Sequence, residues 1–546
     1  MHLSFINRWF VRFSNLQCPT AGADSAELLP QLARMLGPGH VLTDISQRTF
    51  FSTDILSQGP IVAAVIQPGT VAELQTALQL CSLAGVAVIP RGGGFSYTQG
   101  YVPTVPDSVM VDLRRLNKII EINAEDMYVT VEAGCTWKSL YDALSERGLR
   151  TPYFGPMSGY SATVGGALSQ GSFFLGSTQH GTAADSVLGV EVALADGTLI
   201  KTGSVAGTES PSPFYRWYGP DLSGLFLGDT GAFGFKVRAH LRLIPKPVSQ
   251  RVASFALHSL ETSIQLLSDI ARRGLAAECY CWDPVFVQRM GAQSDVAQNL
   301  RYLKGVVGAA SSTFKGLRDA ARTIWGSRNV LDGETYLVHA TMDDISDIAA
   351  NEKLKCIREI AEQHGALEVE PVMPRIMRAT PFNELNRKEM LATGLRNLPV
   401  NGIAPHSRAC ALAGDLVALF DRQRAVMNEL GVTVGIIGFA VGASVVCVEP
   451  VLMWRDNFNQ LHDRVTERSR EDPASPAPSS AQQLVTRLRG QVVGIMSRHG
   501  CAHVQIGKSY PWLVSREPDT AQLLKALKAL LDPDGRMNPG SLGFKQ

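Results

Sequence analysis

The sequence predicts an α+β protein with two domains, and three observations carry this. A strand–helix–strand unit at residues 63–89 runs directly into the glycine turn Gly92-Gly93-Gly94. An Asp-Gly hairpin and several small-residue segments follow, and Pro245 and Pro247 close that half of the chain. From about residue 248 helices and strands alternate in a different rhythm, which marks a second α+β unit.

Bulk properties agree with a globular protein. The 546 residues are 45% hydrophobic and 18% charged, enough for two or three domains with a large core. A net charge of +1 gives no electrostatic footprint for nucleic acid. No apolar run is long enough to cross a bilayer. Met1–Arg12 is mildly basic and apolar, but Asn7, Arg8 and Arg12 interrupt it, which argues against a signal peptide and for a helix packed on the domain. Nine cysteines without a CxxC argue for a reducing, cytoplasmic setting and against zinc or iron–sulfur ligation.

Each element has a local reason. Residues 25–60 read as a helix and a connection through Asp44 and Asp54. Ala63–Ile66 is a short apolar strand. Thr70 and Glu73 have capping-box spacing for a helix from Val71 to Ala84, which Gly85 ends. Val86–Ile89, Val109–Leu113 and Tyr128–Gly134 are strands, and Thr136 starts a helix that stops at Gly148. Gly189–Ile200 reads as a hairpin turning at Asp196-Gly197. In the second unit, helices are expected at Leu260–Arg273, Asp344–His364 and Gly414–Leu430. Strands are expected there at Thr335–Ala340, Thr433–Ile437 and Ala443–Val448. Residues 471–482, rich in proline and serine, read as a mobile loop, and Thr520–Leu531 as a helix.

The chemistry starts at Pro90-Arg91-Gly92-Gly93-Gly94-Phe95-Ser96-Tyr97-Thr98. Glycine lets the backbone approach an anion closely, so a strand feeding this loop, with Ser96 and Thr98 behind it, is a candidate phosphate cradle. A glycine turn alone is also simply a turn. Further pieces follow in order: Thr163-Val164-Gly165-Gly166-Ala167, the Glu191–Thr198 hairpin, Leu225–Gly234, and the closing Leu531-Asp532-Pro533 with Asn538-Pro539-Gly540.

Together these segments resemble the vanillyl-alcohol oxidase / p-cresol methylhydroxylase family of FAD flavoproteins. The resemblance covers residues 45–247 well, thins through the middle and returns at about 500–546. It implies a two-subdomain PCMH-type FAD-binding domain at 45–247, preceded by an N-terminal helical segment at 1–44 and completed by residues 500–546. A cap, or substrate, domain with an antiparallel sheet flanked by helices would occupy 248–499. The resemblance further implies that Pro90–Thr98 holds the FAD pyrophosphate. The stretch from Pro156 through Ser158, Ser161, Ala162, Thr163, Gly165 and Gly166 would pass along the ribityl chain and ring. Gly234 and Phe235 would lie near the adenine, with Asn538 completing the cofactor site.

Departures from the family pattern narrow the chemistry. Phe95 stands where many relatives carry a flavin-linked histidine, so attachment at this loop is excluded and non-covalent FAD is expected; His406 is a weak candidate from the cap. Tyr153–Met157 lacks the aspartate of the phenol oxidases, and Val504-Gln505 replaces their Tyr-Arg pair. Gly438–Ala443 and Ser497-Arg498-His499-Gly500 lack the metal ligands of the D-2-hydroxy-acid branch, so no metal is expected. His180 remains as a candidate general base, or else a structural histidine. Ala502–Lys508 reads as a strand with His503, Gln505 and Lys508 on one face, looking into the site or half exposed. Tyr97 could reach the flavin, and Arg375 and Arg378 could meet an anion, though arginines are more often solvated. Trp217, Tyr153, Phe154 and Tyr160 are available to line a pocket.

The expected activity is oxidation of an alcohol-type small molecule by hydride transfer to flavin N5, with dioxygen, a quinone or a cytochrome as acceptor and a homodimer as one possible assembly. A hydroxy-acid dehydrogenase without the metal site, a non-redox transferase like alkyl-dihydroxyacetonephosphate synthase, and a flavin-binding protein without turnover are the alternatives.

Overall fold

The structure is a computed structural model that describes residues 25–209, 211–292, 335–382, 393–465 and 478–544. The basic, apolar start at Met1–Arg12 and residues 471–477 of the Pro/Ser-rich stretch lie outside these described residues.

The first half builds two sheets. Strands β1 (Val41–Leu42), β2 (Ala64–Ile66), β3 (Val88–Arg91) and β4 (Val109–Asp112) form one sheet in the order β1-β2-β4-β3. The last three run parallel. Their short apolar runs suit strands covered on both faces. Helix α1 (Ser25–Leu36) and helix α2 (Val71–Leu83) pack on this sheet. Thr70 caps α2 by accepting from Glu73 N at 3.1 Å, while the Glu73 carboxylate accepts from Gly69 N at 2.7 Å, one residue earlier than a standard box. The second sheet comprises β5 (Ile119–Asn123) and β6 (Tyr128–Glu132), then, beyond the small strand β7 (Leu149–Arg150), β8 (Val187–Ala193), β9 (Leu199–Lys201) and β10 (Phe235–Arg242). It is antiparallel in the order β5-β6-β10-β8-β9, and β7 pairs with β11 (Ile244–Pro245). The expected hairpin is β8–β9, and Gly197 takes φ +81° at its turn.

The chain changes sheets between Pro245 and Ser249. An eight-stranded sheet follows, built from β12 (Ser249–Leu257), β13 (Glu278–Trp282), β14 (Tyr336–Asp344), β15 (Leu367–Val369), β16 (Leu395–Pro399), β17 (Gly402–Pro405), β18 (Thr433–Val441) and β19 (Val445–Arg455). Its order is β15-β12-β14-β13-β18-β19-β16, with β17 also on β19. Helices α3 (Leu260–Arg272), α4 (Asp347–Gln363), α5 (His406–Glu429) and α6 (Ser480–Arg498) cover one face. The two-residue period divides each strand. On β19, Val446, Val448, Leu452 and Trp454 pack under the helices, while Val451 and Met453 join Tyr280, Trp282, Leu337 and Ile437 on the other face. Glu449 falls on that second face as well.

Several expectations change here. The helix expected from Gly414 starts at His406, directly after Pro405. Residues 480–482 open α6, with Ser479 as its N-cap, instead of ending a loop. Ala502–Lys508 is not a strand: Ala502 makes one isolated bridge to Ile403, and Gln505 at φ +52° and Gly507 at φ +60° break any extended run. His503, Gln505 and Lys508 therefore share no face.

The last residues return to the first sheet. After helix α7 (Pro518–Leu531), Met537 pairs with Val88, and Asn538 N donates to Val88 O at 2.8 Å. The Asn538 side-chain amide donates to Gly100 O at 2.9 Å and Thr230 O at 2.7 Å. Lys508 Nζ donates to Val102 O at 2.7 Å and Asn538 Oδ1 at 2.9 Å. Among the described residues no helix is long and apolar enough to cross a membrane.

Candidate active site

A cavity of about 510 Å³ opens between the first two sheets and the bare face of the eight-stranded sheet, a size usual for a ligand site. Its floor is the glycine loop after β3 and the 156–174 region, one end is Thr230–Lys236, and its roof is Asn397, Pro399, Ile437, Phe439 and Glu449.

The floor is built by close approach of two backbones. A Cβ on Gly92 would lie 2.3 Å from Thr163 Oγ1, and one on Gly93 would lie 2.1 Å from Ser161 O. On the far side, a Cβ on Gly165 would meet the Ala133 Cβ at 2.7 Å. Thr163 caps the short helix Val164–Gln170 by accepting from Gly166 N at 3.2 Å. The N–H groups of Gly93 and Gly94 donate to no acceptor among the described residues. Beside them Arg91 is buried with Nε and Nη1 unpaired, its guanidinium 4.4 Å from the Phe51 ring centroid and 5.0 Å from that of Tyr101. Uncommitted backbone donors, a fixed cation and a wall of small residues fit the pyrophosphate and chain of a dinucleotide.

Most residues expected to hold the cofactor line this cavity: Pro90 to Tyr97, Pro156, Ser158, Ala162, Thr163, Gly165, Gly166 and Gly234. Four do not. Thr98 is buried behind the loop with its hydroxyl on Ser96 Oγ at 3.0 Å. Ser161 meets Gly93 through its carbonyl. Phe235 points into the core beneath the first sheet. Asn538 clasps Gly100 and Thr230 from outside.

Among the catalytic candidates, Tyr97 and Gln505 line the cavity and share a side-chain hydrogen bond. Gln505 is locked there by its backbone N–H, which donates to Gln170 O at 2.6 Å. The others lie elsewhere. His180 is outside the lining; burial and the fields of Arg150 and Arg242 lower its pKa to about 4, so it is neutral at ordinary pH. His503 stacks on Tyr510 at 4.2 Å and donates through Nδ1 to Asn401 O at 2.7 Å. Lys508, lowered to about 7 by burial, is held by Val102 and Asn538. His406 bonds to Ala443 O at 2.9 Å, away from the cavity.

Two further expectations are corrected. Arg378 is not solvated: its guanidinium is buried, bonding to Glu278 Oε2 at 2.8 Å and to Asp343, while Arg150 Nη2 reaches Asp343 at 3.0 Å. Phe154 lies between the two arginines, at 4.4 and 4.7 Å. Arg375 pairs with Glu370. The aromatic lining is also different. Trp217 and Tyr160 are exposed and Tyr153 is core, whereas Phe95, Tyr97, Tyr101, Phe173, Phe174 and Phe439 face the cavity. Phe439 packs edge-on against both Phe173 and Phe174, each at 5.9 Å.

Sequence reasoning missed Glu449. It is the one carboxylate among the described lining residues, and burial raises its pKa to about 7. Its signal was a lone acid in Val445-Val446-Cys447-Val448-Glu449-Pro450-Val451, because an acidic residue inside an apolar strand needs a reason. Tyr97, whose phenol is pushed up by burial and by Glu449, stays protonated beside it. Among the described residues no group of three or more His, Cys, Asp or Glu is placed to share a metal ion.

Fold and cavity define a flavoprotein with a two-part nucleotide domain and an eight-stranded sheet over it. Residues 62–203 match the FAD binding domain family, and residues 477–542 match the C-terminal domain of FAD linked oxidases. The two matched segments and the fold are those of FAD-binding proteins of the PCMH type, and FAD is the cofactor. Among curated relatives, the glycolate oxidase subunit GlcD of Bacillus subtilis (strain 168) is 30% identical over 44% of this chain and 49% of its own length. The chain thus spans about half the length of that relative. The D-lactate dehydrogenase of Archaeoglobus fulgidus is 23% identical over 88% of this chain and 90% of its own. In fold, substrate-bound p-cresol methylhydroxylase superposes with a TM-score of 0.72 at 16% identity, covering 96% of this chain and 98% of that one.

Proposed function

We propose that the chain is an FAD-dependent oxidoreductase that oxidises a small alcohol, with Glu449 as the general base. The observation that carries this is the one carboxylate among the described residues lining the flavin cavity, buried with its pKa near 7, beside a tyrosine and a glutamine held in place. A base works best when its pKa lies close to the working pH, and burial is the usual way to bring a carboxylate there. Bound FAD supplies the two-electron acceptor. Glu449 takes the proton of the substrate hydroxyl, while Tyr97, as a donor, and the Gln505 amide orient the substrate oxygen. Phe173, Phe174 and Phe439 exclude water from the reacting carbon. The reduced enzyme would then pass electrons to dioxygen, a quinone or a cytochrome.

The decisive measurement is reduction of the bound flavin under anaerobic conditions by a panel of alcohols. Glu449→Gln is expected to slow reduction by about 10²-fold or more. Unchanged reduction in that variant removes Glu449 as the base. A flavin that no alcohol or hydroxy acid reduces favours a non-redox role. A 2-hydroxy acid is the second reading, supported by the relatives named for glycolate and D-lactate.

A further inference from the structure

The charges that line the cavity are sorted by place. Its cations are Arg91 and Lys236 among the described lining residues. Arg91 belongs to the floor and Lys236 to the end formed by Thr230–Lys236, where it is already neutralised by Asp229 at 2.6 Å. The roof carries no cation among its described residues, only Glu449 between apolar neighbours, Ile437 directly across on β18 and Val451 on its own strand. A small substrate reaching the reacting position meets three phenylalanines, a tyrosine and this carboxylate.

We propose that the chamber selects uncharged alcohols with an aromatic or apolar body and rejects carboxylates, and that Glu449 is the residue that sets this choice. The inference deepens the oxidoreductase reading above and rests on it. A carboxylate bound under the roof would be desolvated without a counter-charge, with a second carboxylate beside it. Either its own charge or that of Glu449 would have to be neutralised by a proton first. A hydroxyl group pays neither cost. It donates to Glu449 and accepts from Tyr97.

The remaining titratable groups facing Glu449 cannot substitute for it. Tyr97 from the glycine loop, Tyr510 from the C-terminal segment and Cys447 on the same strand are all pushed upward by burial. Arg489, whose guanidinium sits over the Tyr510 ring at 5.6 Å, and Asp54 are not among the residues lining the cavity, and Glu449 itself responds to burial alone.

The test is equilibrium binding to the FAD-loaded protein by isothermal titration calorimetry, with benzamide and benzoate as an isosteric pair that cannot be oxidised. At pH 8 the wild type is expected to bind benzamide at least tenfold more tightly than benzoate. Glu449→Gln should narrow that ratio to within about threefold, whereas Glu449→Asp should keep it. In the wild type itself the ratio should shrink as pH is lowered from 8 to 5.5, which needs no variant to fold. Equal affinities in the wild type at pH 8, a ratio unchanged in Glu449→Gln, or binding of neither ligand overturns the proposal. Because no turnover is read, loss of the base role of Glu449 in the reduction assay is a separate result.

Discussion

Replacing Gly93 by alanine tests the idea that the cofactor floor depends on two backbones in contact. Gly93 has no positive φ, so the substitution brings no Ramachandran strain, only a methyl group. That methyl would sit 2.1 Å from Ser161 O, 2.8 Å from Ser161 C and 3.3 Å from Ala162 Cα, all main-chain atoms that no rotamer can move. Ordinary contact begins at 3.4 Å, so the glycine loop and the 161–166 strip must part by more than an ångström. Overpacking of this kind costs about 1–3 kcal/mol. If the loops relax apart in the apoprotein, FAD must restore them on binding, and its affinity falls roughly 5- to 150-fold. The assay is titration of apoprotein with FAD, followed by quenching of flavin fluorescence, with thermal unfolding of the apoprotein in parallel. Gly414→Ala, in the interior of α5 with open space at its Cβ, is the control and should be neutral or stabilising by up to about 1 kcal/mol. A Gly93→Ala protein that binds FAD within twofold of wild type and melts at the same temperature would refute the reasoning.

Four other outcomes follow from the structure. Glu449, raised from 4.5 to about 7, binds its proton more tightly in the folded state. The stability this brings is complete below pH 4.5 and is lost as pH rises through 7, so the melting temperature of wild type relative to Glu449→Gln should fall across that window. The base role runs the opposite way, and flavin reduction should rise through about pH 7 to a plateau. Arg378→Met removes the ion-pair partner of Glu278, which keeps only Gly176 N, and leaves Asp343 with Arg150 and the Gln250 amide, and should cost about 3–5 kcal/mol in denaturant unfolding. His180→Ala should leave the rate of flavin reduction within about threefold, since His180 lies outside the cavity lining.

The cofactor floor was legible because its causes are local. Gly92-Gly93-Gly94 after an apolar strand, Thr70 as a cap and Asp196-Gly197 as a turn each act within a few residues, and each sits where the sequence places it. The roof was not legible, because it is made by pairing over long distances. β13 was not anticipated at all, and its identity as a strand comes from β14 and β18, which lie far along the chain. Arg378 reads as a surface cation until Glu278 and Asp343, both from that sheet, enclose it. The 502–508 stretch misled through its alternation of side chains: one bridge to Ile403 is all the strand it forms, because Gln505 and Gly507 take left-handed angles. Glu449 was visible as an acid in an apolar run, but its function depends on what the opposite loop brings to it.

The Asn538 clasp has a consequence for how the protein is made. The atoms it joins, on Asn538 and Gly100, are 438 residues apart, which corresponds to roughly 20–90 s of synthesis at usual ribosomal speeds. During that interval the glycine loop has emerged without the segment that fastens it, and the strand edge at Val88 is open because its Met537 partner has yet to be translated. The eight-stranded sheet, complete by Arg455, is finished first. The nucleotide fold therefore closes only after the roof, and a chain cut short before Met537 would carry a finished roof and an unfastened floor.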